Sequence, residues 1–217
     1  RTTMNPNFEI NGATYKVFKF PSGEVQVRLT AFNHPYSNLT VKGSILSSDH
    51  IMELFQLVSI LNRLGIKTSD MKLIMPYCAY SRQDRVCNPG EALSMQVFAK
   101  MINSLGFGSI ETHDNHSDVA TALLDNCTNI SVERIINFVD AKYDYLISPD
   151  AGANKKVQSC SKQSNVPMLR ADKIRDTATG KILDTILYAT PDELLGKRVL
   201  IIDRSEERRV GKECSSA

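Results

Sequence analysis

Along most of the chain, short apolar runs alternate with stretches of helical period. Residues 14–20 and 24–30 alternate apolar and polar side chains, the mark of two half-buried strands around a Pro21-Ser22-Gly23 turn. Residues 39–46 read as a third strand. From Asp49 to Leu64, the side chains of Ile51, Leu54, Phe55, Val58, Leu61 and Leu64 recur at helical spacing. Ser47 or Ser48 is placed to cap that helix and Gly65 to end it. A buried strand, Met71–Met75, leads into a polar loop. The next helix begins near Glu91, is expected to bury Met95, Phe98, Met101, Ile102 and Leu105, and stops at Gly106. Residues 109–112 form a strand, Ser117 caps a short helix through Leu124, and a further helix covers about 132–141. A second series follows, with strand 145–148, helix 153–162, and strands 166–172, 181–188 and 199–203.

Strands alternating with helices of this length predict an α/β fold built on mostly parallel, doubly wound sheet. A boundary near residues 140–144 divides the chain into residues 1–141 and a second piece, 142–203, too short to close a core of its own. The second domain is therefore expected to be incomplete. The string Arg204-Ser-Glu-Glu-Arg-Arg-Val-Gly-Lys-Glu-Cys214 follows a convincing strand and has no apolar period. One reading frame of a common sequencing adapter translates to the same string. Residues 204–217 are accordingly read as a non-native, adapter-derived tail and kept out of fold reasoning. At the other end, Met4 is a candidate initiator, with Arg1–Thr3 an extension.

Composition narrows the class. A hydrophobic fraction of 42% over 217 residues describes an ordinary globular protein. No apolar run approaches the ~20 residues that a bilayer span needs. A net charge of +2 is too small to argue for nucleic acid or a membrane surface. The five cysteines, Cys78, Cys87, Cys127, Cys160 and Cys214, show neither CxxC nor metal-ligand spacing. They read as small hydrophobes in a reducing compartment, which points to the cytoplasm.

In an open parallel sheet, ligands gather at the carboxyl ends of strands. Three polar clusters stand at such ends: Arg82-Gln83-Asp84-Arg85, His113-Asp114-Asn115-His116, and Pro149-Asp150-Ala151-Gly152. A fourth occupies the first hairpin turn, where Phe20 and Glu24 offer an aromatic edge and a carboxylate. Arginines suit phosphate, and a carboxylate with an imidazole suits Mg2+, which keeps several waters. Each cluster alone has a plainer explanation. Arg82, Asp84 and Arg85 read as surface ion pairs, His113 and His116 as loop residues, Asp150 as a helix start, and Phe20 as hairpin packing. Their convergence on strand ends, in a set suited to one ligand, favours a polyanion site.

The run Pro76-Tyr-Cys-Ala-Tyr-Ser-Arg-Gln-Asp-Arg85 and the order of the other clusters resemble the ribose-phosphate pyrophosphokinases over residues 18–203. The resemblance implies two phosphoribosyltransferase-like domains, the second incomplete. It also implies transfer of diphosphate from MgATP to the 1-hydroxyl of ribose 5-phosphate, giving phosphoribosyl diphosphate (PRPP) and AMP. Phe20 and Glu24 match the family's Phe-x-x-Gly-Glu turn, which helps hold ATP across a subunit interface; the family usually has aspartate where Ser22 stands. Arg82, Gln83 and Asp84 match its nucleotide-binding segment. Asp114-Asn115-His116 aligns with its Asp-Leu-His motif, and the spacing to Leu123-Leu124-Asp125 selects His116 over His113 for the metal. Ser148-Pro149-Asp150-Ala151-Gly152 matches its Ser-Pro-Asp-x-Gly motif, making Asp150 the metal-linked carboxylate. Lys173 and Arg175 match its catalytic Lys-x-Arg. Asp203 matches the first acid of its ribose-phosphate loop, and the rest of that loop is missing, so this chain is expected to be inactive or nearly so. A homo-oligomer is implied for the intact protein. A nucleobase phosphoribosyltransferase and a non-catalytic, regulatory relative of the enzyme are the alternatives.

Overall fold

The computed structural model describes residues 1–33, 38–136, 142–175 and 182–203. The tail at 204–217 lies outside them, as does the expected boundary at 141. The chain divides into two compact units, Arg1–Ile130 and Ser131–Ala217.

The first unit opens with an antiparallel meander: β1 (Thr2–Met4), β2 (Glu9–Ile10), β3 (Ala13–Lys19) and β4 (Val25–Phe32). Strand β3 is its spine, pairing β4 along one edge and β1 and β2 along the other. Strand β2 also pairs β5 (Leu39–Lys42), and there the parallel sheet begins. It continues through β6 (Met71–Met75), β7 (Ser109–His113) and β8 (Cys127–Ile130), each parallel to its neighbour. The helices α1 (Ser48–Arg63), α2 (Ser94–Asn103) and α3 (Asp118–Leu123) are the crossovers that parallel pairing requires.

Helix α1 follows its sequence signals at both ends. Ser47, in extended conformation, accepts a hydrogen bond from the His50 N–H. At the far end Gly65 takes φ +88, the Gly65 N–H reaches Asn62 O at 3.0 Å, and the Ile66 N–H reaches Leu61 O at 3.1 Å. That double bond is a Schellman stop, and it needs a left-handed residue after the helix. Leu64 caps the helix and is 44% exposed rather than part of the buried stripe. In α2, Met95, Phe98, Ala99 and Ile102 are buried, while Met101 is 38% exposed at the edge of the apolar face, contrary to the sequence expectation. Glu53, on the buried side of α1, is held by the Asn7 N–H at 2.8 Å and the Tyr15 hydroxyl at 2.7 Å. A buried carboxylate persists only with such donors.

The second unit starts with α4 (Val132–Ile136); the rest of the expected helix lies outside the described residues. Strand β9 (Tyr145–Ser148) is followed by α5 (Asn154–Ser164), β10 (Met168–Arg175), β11 (Ile182–Leu187), α6 (Pro191–Leu194) and β12 (Val199–Ile201). The sheet order is β11-β10-β9-β12. Strand β9 pairs β10 and β12 in parallel, whereas β10 and β11 form an antiparallel hairpin. The connection between them is too short for a crossover helix, so the chain doubles back. Helix α6 begins with a complete capping box between Thr190 and Glu193. The core here is small: Leu146, Ala153, Val157, Cys160 and Ile202 among the described residues.

Candidate functional site

In the first unit the candidate residues sit on loops leaving the carboxyl ends of β6 and β7. The loop after β6 is anchored by buried Cys78, Ala79 and Ser81, and bends at Tyr80, whose φ is +61. Tyr80 packs its ring 5.5 Å from that of Phe98, tying the loop to α2. The Gln83 N–H then reaches back to Tyr80 O at 2.9 Å, and Gln83 O accepts from the Met95 N–H at 3.1 Å. With the backbone held in this way, the Arg82 and Gln83 side chains are exposed and Asp84 is half-buried. Gln83 lines a groove of about 250 Å³ with Ser47, Ile51, Tyr77 and Tyr80.

The loop after β7 turns at Asp114, φ +49, and is pinned by Asn115. That carboxamide donates to Thr112 Oγ1 at 2.9 Å and Thr121 Oγ1 at 3.0 Å, while the Asn115 N–H meets Asn129 Oδ1 at 3.1 Å. The Nδ1 of His116 is buried beside it. Ser117 precedes α3 in extended conformation, but its hydroxyl makes no cap hydrogen bond. It donates instead to Asp84 Oδ2 at 2.6 Å. That bond brings the Arg82–Asp84 segment next to the His116 loop. The other histidine, His113, faces Glu111 Oε1 at 2.9 Å, and Glu111 also holds Lys72 Nζ at 2.6 Å. Lys72, then His113, keeps the Glu111 carboxyl below its ordinary range.

Phe20 and Glu24 lie elsewhere, at the tip of the β3–β4 hairpin, separated from β6 in the sheet by β2 and β5. The turn closes through Phe20 N–H to Glu24 O and Gly23 N–H to Phe20 O, each at 2.9 Å, with Gly23 at φ +102. The Arg1 guanidinium lies 4.9 Å over the Phe20 ring. The Ser22 hydroxyl donates to Glu24 and holds that exposed carboxyl below its ordinary range. Next to the turn, Lys19 Nζ meets Asp49 Oδ2 at 2.5 Å at the start of α1.

In the second unit, β9 delivers Ser148-Pro149-Asp150 to the start of α5. Asp150 is held by its own turn: the Ala153 N–H meets Asp150 Oδ1 at 3.0 Å, and the Ser148 hydroxyl donates to Asp150 O at 3.0 Å. Lys173, on β10, places Nζ 3.0 Å from Asp150 Oδ2, so two of the expected site residues meet directly. Arg175 ends β10, where the pairing with β11 shifts register. Two residues that sequence reading missed sit beside this pair. The Asn154 carboxamide, oriented to face Ser148 Oγ at 2.9 Å with its nitrogen, sets its oxygen 2.9 and 3.2 Å from Nη2 and Nε of Arg170. No local signal marks that contact, because it joins a helix start to a strand across the parallel register Arg170–Ser148.

Among the described residues no group of three or more His, Cys, Asp or Glu side chains gathers to hold a metal. Asp150 offers a carboxylate, the oxygen ligand type that a hard cation takes, and its Oδ2 faces the Lys173 ammonium at 3.0 Å.

Residues 3–106 match the family described as the N-terminal domain of ribose phosphate pyrophosphokinase. A ribose-phosphate pyrophosphokinase of Saccharolobus solfataricus is 28% identical over 190 residues, covering 85% of this chain and 64% of its own length. Ribose-phosphate pyrophosphokinase 2 of Archaeoglobus fulgidus is 29% identical over 206 residues, covering 94% and 68%. The chain thus spans about two thirds of the length of these curated relatives. The crystal structure of phosphoribosylpyrophosphate synthetase from Mycobacterium smegmatis superposes with a TM-score of 0.60 at 20% identity, over 82% of this chain and 59% of that one. That likeness shows the fold alone: α/β of phosphoribosyltransferase-like type, matched over 59% of the synthetase chain. Residues 3–106 thus match the N-terminal domain of ribose phosphate pyrophosphokinase, and most of the chain is similar to enzymes of that family.

Proposed function

We propose that the protein is a ribose-phosphate diphosphokinase, moving the β,γ-diphosphoryl group of MgATP onto the 1-hydroxyl of ribose 5-phosphate to give PRPP and AMP. The observation that carries this reading is the Ser117–Asp84 hydrogen bond. It packs the Arg82–Asp84 loop against the His116 loop at the carboxyl edge of a parallel sheet, where this fold type holds phosphates.

In such a transfer the attack falls on phosphorus with little covalent chemistry from the protein, so positioning and charge stabilisation dominate. Arg82 would grip phosphate oxygens, Gln83 would support the nucleotide beside its groove, and Asp84 would fix the loop through Ser117. Phe20 and Glu24 project from an outlying hairpin, a placement suited to serving ATP in a second copy of the chain. Lys173 and Arg175 would stabilise charge on the transferring group. Asp150 in the second unit and His116 in the first are each proposed as residues that would serve Mg2+, which when bound would supply neutralisation of phosphate charge. The engagement of His113 with Glu111 supports His116 as the metal histidine. Donor ATP, acceptor ribose 5-phosphate and homo-oligomeric assembly are part of the same proposal. The thiols of Cys78, Cys87, Cys127 and Cys160 are unbridged, which supports a reducing, cytoplasmic setting. No helix of the described residues is long and apolar enough to cross a membrane.

The test is AMP formation by the full-length protein. It should require both Mg2+ and ribose 5-phosphate, and Arg82→Ala should raise KM for ATP. AMP release independent of ribose 5-phosphate, or PRPP consumption with a free nucleobase, would remove this assignment.

A further inference from the structure

Lys173 and Asp150 have separate tasks in the proposed reaction, one on phosphate and one on the metal, yet their side chains are bound to each other. Nζ lies 3.0 Å from Oδ2, and each side chain is 23% exposed. The second carboxylate oxygen, Oδ1, accepts the Ala153 N–H. A divalent ion approaching Oδ2 would therefore meet an ammonium already there, and two cations on one oxygen repel strongly in a half-buried place.

The two partners differ in freedom. Asp150 is fixed by its turn, by the Ser148 hydroxyl, and by the Arg170–Asn154–Ser148 contacts around it. Lys173 is held, apart from its contact with Asp150, by its backbone, paired with Thr185 in the β10–β11 hairpin among the described residues. Its four-carbon stem can swing while the strand stays put.

We propose that Lys173 is a resident counter-ion latched on Asp150, and that a divalent cation takes this carboxylate by displacing the ammonium, which frees Lys173 to meet phosphate oxygens. The proposal rests on the reading of Asp150 as the metal-linked carboxylate. The latch keeps the lysine out of action until the ion arrives, and it ties metal binding to lysine release in one exchange. Linkage makes the coupling reciprocal: the latch weakens ion binding by the same factor by which the bound ion weakens the latch.

The experiment follows Mn2+ binding to the full chain by electron paramagnetic resonance, the Asp150 site being the binding that Asp150→Asn abolishes. Lys173→Gln is expected to bind Mn2+ roughly fivefold more tightly, the worth of one partly exposed ion pair. Lys155→Gln removes the same charge from an exposed position on α5 and should stay within about twofold of wild type, since salt screens an exposed charge. A second readout is acylation of the Lys173 amine, measured by mass spectrometry. Mg2+ should raise its labelling, and Asp150→Asn should label at the raised level with or without the ion. If the wild-type chain binds Mn2+ but Lys173→Gln gains no more than Lys155→Gln, or Mg2+ leaves Lys173 labelling unchanged, the latch is wrong and the metal carboxylate stands. If neither wild type nor Lys173→Gln binds Mn2+ at an Asp150-dependent site, both fall.

Discussion

In the first unit, the polar loops after β6 and β7 rise from a core running from Phe8 to Leu124, in which Leu73, Met75, Met95 and Ile102 are fully enclosed. In the second, β9 and β10 rest on a far smaller cluster, and Leu183, Ile186, Tyr188 and Ile201 are left exposed. The Arg82 loop is therefore shaped largely by packing: buried Cys78, Ala79 and Ser81 and the Tyr80–Phe98 contact fix its course together with its backbone hydrogen bonds. The Asp150 site is shaped by polar contacts among Ser148, Asp150, Asn154, Arg170 and Lys173. Packing yields a rigid platform for recognition. Ion pairs near the surface exchange partners more readily, which suits a site that must admit and release charged species.

The largest expected effect separates chemistry from stability. Lys173→Ala in the full-length protein should lower turnover about 10³-fold or more, roughly 4 kcal/mol in the barrier, while the first unit melts unchanged. Near-normal AMP release would take Lys173 out of the reaction. Next comes one substitution made in both cores. Leu73→Ala and Leu146→Ala each remove a fully buried leucine and should cost about 2–5 kcal/mol, with Leu73 at the upper end because its denser surroundings cannot collapse. Denaturant midpoints, with hydrogen exchange in β6 and β9, measure the two. Equal costs would erase the contrast between the units.

Tyr15→Phe tests the polar exception inside the larger core. Its hydroxyl serves Glu53 and the Phe8 backbone, and its loss should cost about 1–3 kcal/mol by leaving buried groups short of a partner. Burial and then Glu53 push the Tyr15 hydroxyl far above its ordinary value. A group that keeps its proton more tightly when folded stabilises fully below its unfolded pKa, about 10, and loses that contribution as pH rises further. Stability should thus fall above about pH 10 in wild type and fall less in Tyr15→Phe. The smallest effect is at Glu111, which Lys72 and His113 hold ionised. Glu111→Gln should cost a few tenths of a kcal/mol near neutrality. The difference should vanish as acid protonates the carboxyl below its unfolded value, about 4.3. A constant difference down to pH 2, by thermal melts, would show that charge is not its cause.

Much of this architecture is legible from residue order. The stripe Ile51–Leu61, the Ser47 cap and the Gly65 stop specify α1 almost to the residue, because period and end chemistry are local properties. The misreadings share a cause. Met101 fits the helical period but lies at the edge of the face that α2 presents. Glu53 carries no sequence signal of burial; Asn7 and Tyr15, supplied by other elements, make that burial tolerable. Ser117 has the identity of a cap, yet Asp84 wins its hydroxyl.

By itself the order of residues determined most of the strands and helices, though not β1, β2, β8 or α6, and which loops carry arginine, histidine and aspartate, since each follows from neighbours within a few turns of chain. Tertiary structure alone decided that β10 and β11 run antiparallel, that Asp84 holds Ser117, that Arg170 braces Asn154, and that Lys173 rests on Asp150. The side-chain pairings among them join residues well separated along the chain. Strand register and side-chain reach select them, and neither is written in any local pattern.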